Sequence, residues 1–152
     1  MIKRYIIFIA FVGLLFIVPG CADDELDGGG APAGATITIN PSTYTLIDTT
    51  LVAATHTQYF SIVVKDANGF PFKDIKLTIA FIWAKPDIYG LVQFYHGGNK
   101  VNSPFNAYTD ANGTYRLRMD FWSGGELDYN GTLQVTSGSG YASADFEVDT
   151  GE

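Results

Sequence analysis

Apolar and polar residues alternate along most of the chain after residue 35, which is typical of β-strands with one buried face. In TYRLRMDF (114–121) the apolar residues, from Tyr115 to Phe121, face one way, whereas Arg116, Arg118 and Asp120 face the other. KLTIAFIW (76–83) and YASADFEV (141–148) repeat the pattern. No segment has a sustained helical period. The pattern therefore predicts an all-β domain of antiparallel strands, in a two-sheet sandwich or a barrel.

The first twenty residues have the organisation of a secretory signal peptide. A lysine–arginine pair precedes an apolar run from Tyr5 to Val18, which is shorter than the ~20 residues that a membrane-spanning helix needs. The run ends in VPGC, with Gly20 directly before Cys21, the only cysteine of the chain. This junction resembles the lipobox of bacterial lipoproteins. The resemblance implies a signal peptide over 1–20 and a lipid anchor on Cys21.

The alternative at this junction is an ordinary signal peptide followed by a chance cysteine. That arrangement would leave an exported protein with one unpaired, reactive thiol. The lipid anchor is therefore the favoured interpretation, and the membrane is the first expected partner of the chain.

The segment after Cys21, ADDELDGGGAPAGA, is acidic, rich in glycine and almost free of large apolar residues. Such a segment cannot bury enough surface to offset its ordering entropy, so residues 21–35 are predicted to be a flexible tether. Removal of the signal peptide changes the net charge from −7 to 7 − 16 = −9. An acidic chain is repelled by phosphate groups, so no nucleic-acid partner is expected.

The tetrapeptide DANG occurs at 66–69 and again at 110–113. Asp in first place and Gly in last place are favoured in a type I β-turn, and Asn tolerates the conformations between them. The predicted structural turn residues are Asp66, Asn68, Gly69, Asp110, Asn112 and Gly113. The alternative is a calcium site, which needs about six to eight oxygen ligands. Each copy supplies one carboxylate and one amide, so no metal and no cofactor is expected.

Three segments, FSIVVKDANGFPFKDIKLTIAF, YTDANGTYRLRM and GTLQVTSGSGYASADFEV, together resemble the bacterial Ig-like domains of the invasin and intimin type. That family has a strand before D-x-N-G-x-P, a later T-D-x-N-G and two closing strands rich in Val, Thr, Ser and Ala. The match covers most of 36–148, and the stretch from 83 to 106 departs from it. A second resemblance is to the carboxypeptidase regulatory-like β-sandwich, but the early strand TITINPSTYTL favours the Ig-like family.

The Ig-like resemblance implies a two-sheet antiparallel sandwich of about seven strands over residues 36–148, followed by a tail at 149–152. The implied strands are 36–47, 57–65, 75–83, 105–109, 114–122, 131–137 and 141–148. An additional edge strand is expected near 89–95, and the SGSG segment at 137–140 is expected to be a hairpin turn.

The sequence offers little sign of catalysis. A nucleophile needs a base beside it, and Cys21 is expected to carry lipid. His56 and His96 have no motif around them and do not match a zinc signature. We therefore predict no catalytic residue and no enzymatic activity.

The aromatic segment FIWAKPDIYGLVQFYH (81–96) is the one unusual feature. Its aromatic residues Trp83, Tyr89, Phe94 and Tyr95 would form an exposed platform for a glycan or a partner protein. The favoured alternative is that Phe81 and Trp83 belong to the core and the others cover an edge of the sandwich.

These observations predict a lipid-anchored protein of the bacterial cell envelope, with the outer membrane or cell surface favoured over the inner membrane. Its single domain is expected to act as a non-enzymatic interaction or adhesion module for an envelope or surface protein. The alternatives are a glycan-binding module that uses residues 81–96 and an accessory subunit of an envelope assembly.

Overall fold

A computed structural model describes residues 29–50, 52–84, 90–124 and 127–151, which form two packed β-sheets. The ten strands in these residues are β1 (Thr36–Asn40), β2 (Thr43–Ile47), β3 (Ala54–Lys65), β4 (Lys76–Trp83), β5 (Val92–His96), β6 (Asn99–Val101), β7 (Phe105–Tyr108), β8 (Thr114–Ser123), β9 (Tyr129–Ser137) and β10 (Gly140–Asp149). Sheet I has the order β1-β3-β8-β5-β6, and sheet II has the order β2-β10-β9-β4-β7. The predicted all-β, Ig-like two-sheet sandwich is confirmed, with more strands than the expected seven.

The first predicted strand is divided between the two sheets. Residues 36–40 pair with β3 in sheet I, whereas residues 43–47 run parallel to β10 in sheet II. Pro41 lies between them, and it has no N–H to donate to a ladder, so the chain leaves one sheet there and joins the other.

The segment between β4 and β8 accounts for the other additional strands. The expected extra strand is present as β5, which forms a hairpin with β6 across Gly97 and Gly98. Both glycines have positive φ angles, 56° and 84°, which suit a tight hairpin turn. β5 pairs with β8, while the predicted strand at 105–109 is β7 and pairs with β4 in sheet II.

The core consists of the inward-facing residues of both sheets, and the alternation predicted most of them. The fully buried side chains include Phe60, Ile62, Leu77, Ile79, Leu117, Met119, Phe121, Leu133 and Val135. Aromatic rings fill the centre, where Phe146 stacks on Phe81 with ring centroids 4.8 Å apart and lies 5.2 Å from Phe121. No helix in the described ranges is long and apolar enough to cross a membrane.

Residues 29–35, the last part of the predicted tether, lie against the sandwich. The Gly29 carbonyl accepts a hydrogen bond from the Lys76 amide at 3.0 Å, and the Ala31 amide donates to Ser137 Oγ at 2.8 Å. Ala31 is buried. Residues 29–35 are therefore part of the folded domain rather than of the tether. The signal peptide, Cys21 and residues 22–28 lie outside the described residues, so the lipid anchor and a flexible tether over 22–28 stay predictions.

Candidate functional site

Both DANG segments fold as turns with the same hydrogen bonds. Asp66 Oδ1 accepts from the amides of Asn68 and Phe70, each at 2.8 Å, and the Gly69 amide donates to the Asp66 carbonyl at 3.1 Å. In this first copy the Asp66 carboxylate therefore stabilises the turn by accepting hydrogen bonds from the amides of the turn itself.

The second copy repeats this arrangement around Asp110. Its Oδ1 accepts from the amides of Asn112 and Thr114 at 2.8 and 2.9 Å, and the Gly113 amide donates to the Asp110 carbonyl at 2.9 Å. Within the described ranges, no group of three or more His, Cys, Asp or Glu side chains is placed to hold a metal ion. Both turns connect sheet I with sheet II, so their role is to direct the chain between the sheets.

A Ser–His–Asp cluster, which no sequence motif indicated, lies at one end of the core. His56 Nε2 is 3.2 Å from Asp48 Oδ2 and 2.9 Å from Ser123 Oγ, and Ser123 Oγ itself donates to Asp48 Oδ2. Thr50 adds two more donors to Asp48 Oδ1. The hydrogen bond from Ser123, followed by those from Thr50, lowers the pKa of Asp48.

This cluster does not have the geometry of a catalytic triad. In a triad the histidine holds the serine with one ring nitrogen and the carboxylate with the other. Here Asp48 and Ser123 both contact Nε2, and the serine also bonds directly to the carboxylate. Asp48 and Ser123 are both buried. The cluster therefore ties the segment after β2 to β3 and β8, as a structural element.

His96 has a similar packing role at another edge of the core. Its Nδ1 is 2.7 Å from the Tyr115 hydroxyl, and its ring lies 5.6 Å from the ring of Tyr115. Burial raises the pKa of Tyr115 to about 12, so this hydroxyl stays protonated at neutral pH.

The structure places the predicted ligand-binding aromatics in different environments. Phe94 is buried in the core, and Trp83 is half-buried, with its ring 4.6 Å from that of Phe81. Tyr95 follows Phe94 on β5 and therefore lies on the opposite face of sheet I. These three residues do not share one exposed platform, and Tyr89 lies outside the described residues.

The outer face of sheet I instead combines tyrosine with arginine. Arg116 lies over the Tyr59 ring, with Cζ 4.0 Å from the centroid, and Arg118 lies over the Tyr95 ring at 4.4 Å. Lys100 is the strand partner of Tyr95. We call this surface, defined by Tyr59, Tyr95, Lys100, Arg116 and Arg118, the basic face.

Asp120 fixes the central arginine of the basic face. Arg118 Nε donates to Asp120 Oδ1 at 2.9 Å and Nη2 donates to Oδ2 at 2.7 Å, while Thr57 Oγ1 donates to Oδ1 at 2.7 Å. Burial alone would raise the pKa of Asp120, but the hydrogen bonds from Arg118 and Thr57 outweigh it and lower that pKa. The carboxylate therefore stays charged and holds the guanidinium flat against Tyr95.

The outer face of sheet II differs in its charged residues, because acidic side chains outnumber basic ones on its strands. We call this surface the hydroxyl face, after the short hydroxyl side chains that accompany these charges: Thr43, Thr45, Thr78, Thr132, Thr136 and Ser143. It contains a concavity of about 390 Å³ between β2, β10, β9 and β4. The half-exposed Ile82 lines it beside Asn130, Asp145 and Glu147.

Comparisons with known proteins bear on the fold. No protein-family model matches the chain, and no curated protein was found to match it. Among solved structures, the Yersinia pseudotuberculosis adhesin InvE is similar with a TM-score of 0.50 and 16% identity, over 78% of this chain and 32% of that one. A chaperone–tip adhesin complex of CFA/I fimbriae biogenesis is similar with a TM-score of 0.50 and 8% identity, over 76% of this chain and 59% of the matched chain.

A conjugative transposon lipoprotein from Bacteroides eggerthii is also similar, with a TM-score of 0.42 and 13% identity, over 76% of this chain and 98% of that one. At these identities the likenesses concern the fold alone. The match covers about a third of the Yersinia adhesin chain and about three fifths of the matched chain of the chaperone–tip adhesin complex. The two matches with a TM-score of 0.50 agree with the Ig-like sandwich fold of the domain.

Proposed function

We propose that this chain is a lipid-anchored protein of the bacterial cell envelope, whose Ig-like domain is a non-enzymatic interaction module. The observation that carries the proposal is the basic face. It is an exposed surface in which two arginines lie on two tyrosines, on a chain with a net charge of −7. Arginine and tyrosine are enriched where proteins bind partners.

The fold supports a binding role, because similar sandwiches occur in two adhesin structures. A fold alone does not define a function, so the argument rests on the surface. The polar cluster around His56 supports the same proposal, because the arrangement of its atoms serves structure and not nucleophilic attack.

The anchor is tested by Cys21→Ser. We expect this substitution to prevent attachment of the lipid and to abolish the mature lipidated form of the protein. A mature Cys21→Ser protein that still partitions into detergent with an unchanged mass would contradict the anchor.

The interaction role is tested by mild crosslinking in cells, followed by purification of the tagged protein. We expect a fixed set of envelope components to co-purify with the wild type and to be reduced in Tyr59→Leu/Arg116→Gln. The matched control is Tyr108→Leu/Lys76→Gln, which removes one tyrosine and one positive charge on the hydroxyl face. Equal recovery from both double variants would show that the basic face has no part in binding.

A further inference from the structure

We propose that the basic face binds an acidic polysaccharide, namely a linear chain of sugars that carry carboxylate groups. This inference rests on the proposed function, because it names the ligand class of the interaction module. Its evidence is the charge, the register and the packing of the outward-facing side chains of sheet I.

The two outer faces of the sandwich have opposite charge. The outward-facing charged residues on the strands of sheet I are Lys65, Lys100, Arg116, Arg118 and Asp120, a sum of 4 − 1 = +3. Those on sheet II are Lys76, Asp145, Glu147 and Asp149, a sum of 1 − 3 = −2. An anionic ligand is therefore attracted to one face of the domain and repelled by the other.

The strand register arranges the basic face as an alternating row. Tyr59 pairs with Arg118, Arg118 pairs with Tyr95, and Tyr95 pairs with Lys100, across β3, β8, β5 and β6. Three strand spacings of 4.7–4.9 Å give this row a length of roughly 14–15 Å. A cation and a phenol thus alternate along a line that spans several sugar units.

Arg116 supplies a second cation beside this row. Its guanidinium is held over Tyr59 at 4.0 Å, and it makes no ion pair with a carboxylate among the described residues. Stacking fixes the plane of the group, so its N–H donors are presented in a constant direction. Planar guanidinium donors match the two oxygens of a carboxylate.

The position of the basic face favours a polysaccharide over a peptide. A peptide that adds to a sheet needs an unpaired strand edge. The basic face lies mainly on β3, β8 and β5, which have neighbours on both sides within sheet I. A sugar chain needs only side-chain contacts. Its carboxylates would pair with the cations, its hydroxyls would form hydrogen bonds with Thr57 and Gln93, and its C–H groups would pack against the tyrosine rings.

The test uses the full-length protein extracted in a neutral detergent, with polygalacturonate as the probe and neutral dextran as the reference. Binding is measured by the retardation of the protein in native gels that contain each polymer. We expect retardation by polygalacturonate alone. Arg116→Gln should weaken it about tenfold, which corresponds to about 1.4 kcal/mol. Lys76→Gln, the matched loss of one positive charge on the hydroxyl face, should leave it unchanged.

Arg116→Lys separates specific recognition from simple charge attraction. The lysine keeps the charge but loses the planar donors, so we expect a loss close to that of Arg116→Gln. Thermal melting of each variant shows that it is folded. The inference is overturned if Arg116→Lys binds like the wild type, if Lys76→Gln weakens binding as much as Arg116→Gln, or if poly-glutamate binds as well as polygalacturonate.

The same variants distinguish this inference from the proposed function. If polygalacturonate does not bind but Tyr59→Leu/Arg116→Gln still reduces crosslinking in cells, the polysaccharide is wrong and the interaction module stands. If polygalacturonate binds through Arg116 but no envelope component is crosslinked, the ligand class stands and the protein-partner role is wrong.

Discussion

The basic face and the hydroxyl face are built on similar five-stranded sheets, yet they hold their polar side chains in different ways. On the basic face, long cationic side chains lie flat, fixed by tyrosine rings and by Asp120. On the hydroxyl face, short side chains form local pairs, such as Thr132 Oγ1 with Asp145 Oδ1 at 2.8 Å. On the basic face, rings on other strands and a carboxylate on the same strand thus hold the guanidinium groups, whereas on the hydroxyl face single hydrogen bonds join short side chains of neighbouring strands.

This difference explains where a ligand gains most from binding. Side chains that are already fixed lose little conformational entropy when a partner arrives. The arginines of the basic face meet that condition, because stacking and the ion pair hold them before any ligand is present. The concavity on the hydroxyl face has a defined shape but few charged side chains that are fixed in place. The negative charges of Asp145 and Glu147 in its lining repel anions.

The largest expected effect concerns the sheet beneath the hydroxyl face. A Cβ on Gly131 would lie 2.6 Å from Phe146 Cζ and 2.7 Å from the Ile82 carbonyl oxygen. Gly131→Val should therefore push β9 away from the core and reduce the free energy of unfolding by about 3–5 kcal/mol. Chemical denaturation measures this loss.

The control for Gly131→Val is Thr132→Val, which places the same side chain on the outer side of the same strand. We expect a change within about 0.5–1 kcal/mol, because only the hydrogen bond to Asp145 is lost. Similar losses for the two variants would contradict the contact between Gly131 and the Phe146 ring.

The next effect concerns the two turns that connect the sheets. Gly69 and Gly113 have positive φ angles of 88° and 66°. A Cβ on Gly69 meets nothing within 4 Å, but a Cβ on Gly113 would lie 2.7 Å from the Val64 carbonyl oxygen and from Pro71 Cβ. Gly113→Ala should cost about 2–3 kcal/mol, and Gly69→Ala about 1 kcal/mol, which is the backbone cost alone.

The melting temperatures of both glycine variants, measured in EDTA and in millimolar calcium, provide the check. We expect the same order of stability in both solutions, because the aspartates bond to their own backbone. A rise in the melting temperature with calcium, abolished by Asp110→Asn, would show instead that the turn binds the ion.

The sequence predicted the parts of this structure that depend on local periodicity. Alternation identified Leu117, Met119 and Phe121 as buried, and it placed Arg116 and Arg118 on the outer side. It could not predict the basic face, because that surface depends on which residues stand opposite each other on separate strands. Burial of the apolar faces and the turn geometry set the register, but the alternation within one strand does not show which distant strand lies beside it.

The same limit applies to the aromatic segment and to the polar cluster. Phe94 and Tyr95 are adjacent in the sequence, but the strand separates them onto opposite faces. The edge strand expected near 89–95 already implied this separation, because neighbouring residues of a strand point to opposite faces. Asp48 and Ser123 are 75 residues apart, and no motif connects them to His56.

A further prediction tests the ion pair on the basic face by pH. The folded-state pKa of Asp120 is lowered, so its stabilising contribution is complete above the unfolded value, about 3.9. It is lost as the pH falls through the folded value. Asp120→Asn should cost about 1–2 kcal/mol at pH 7, because Arg118 is 41% exposed and solvent screens the pair.

The measurement is the free energy of unfolding of wild type and Asp120→Asn between pH 7 and pH 2. The two curves should converge at the acid end. Asp145→Asn, on the hydroxyl face, is the control and should lie close to the wild type throughout. A constant gap between wild type and Asp120→Asn across this pH range would show that the carboxylate's charge contributes nothing.

The smallest expected effect concerns the tyrosine that supports Arg116. Tyr59 is 43% exposed and Tyr108, on the hydroxyl face, is 51% exposed, so the two are matched in accessibility. Tyr59→Leu keeps an apolar side chain but removes the ring under the guanidinium, which should cost about 0.5–1 kcal/mol of stability. Tyr108→Leu should cost less, because no cation lies over its ring among the described residues.

A double-mutant cycle that combines Tyr59→Leu with Arg116→Gln isolates the stacking energy. A coupling energy of zero would mean that Tyr59 does not hold Arg116, and the basic face would then lose its fixed geometry and with it the main difference between the two faces.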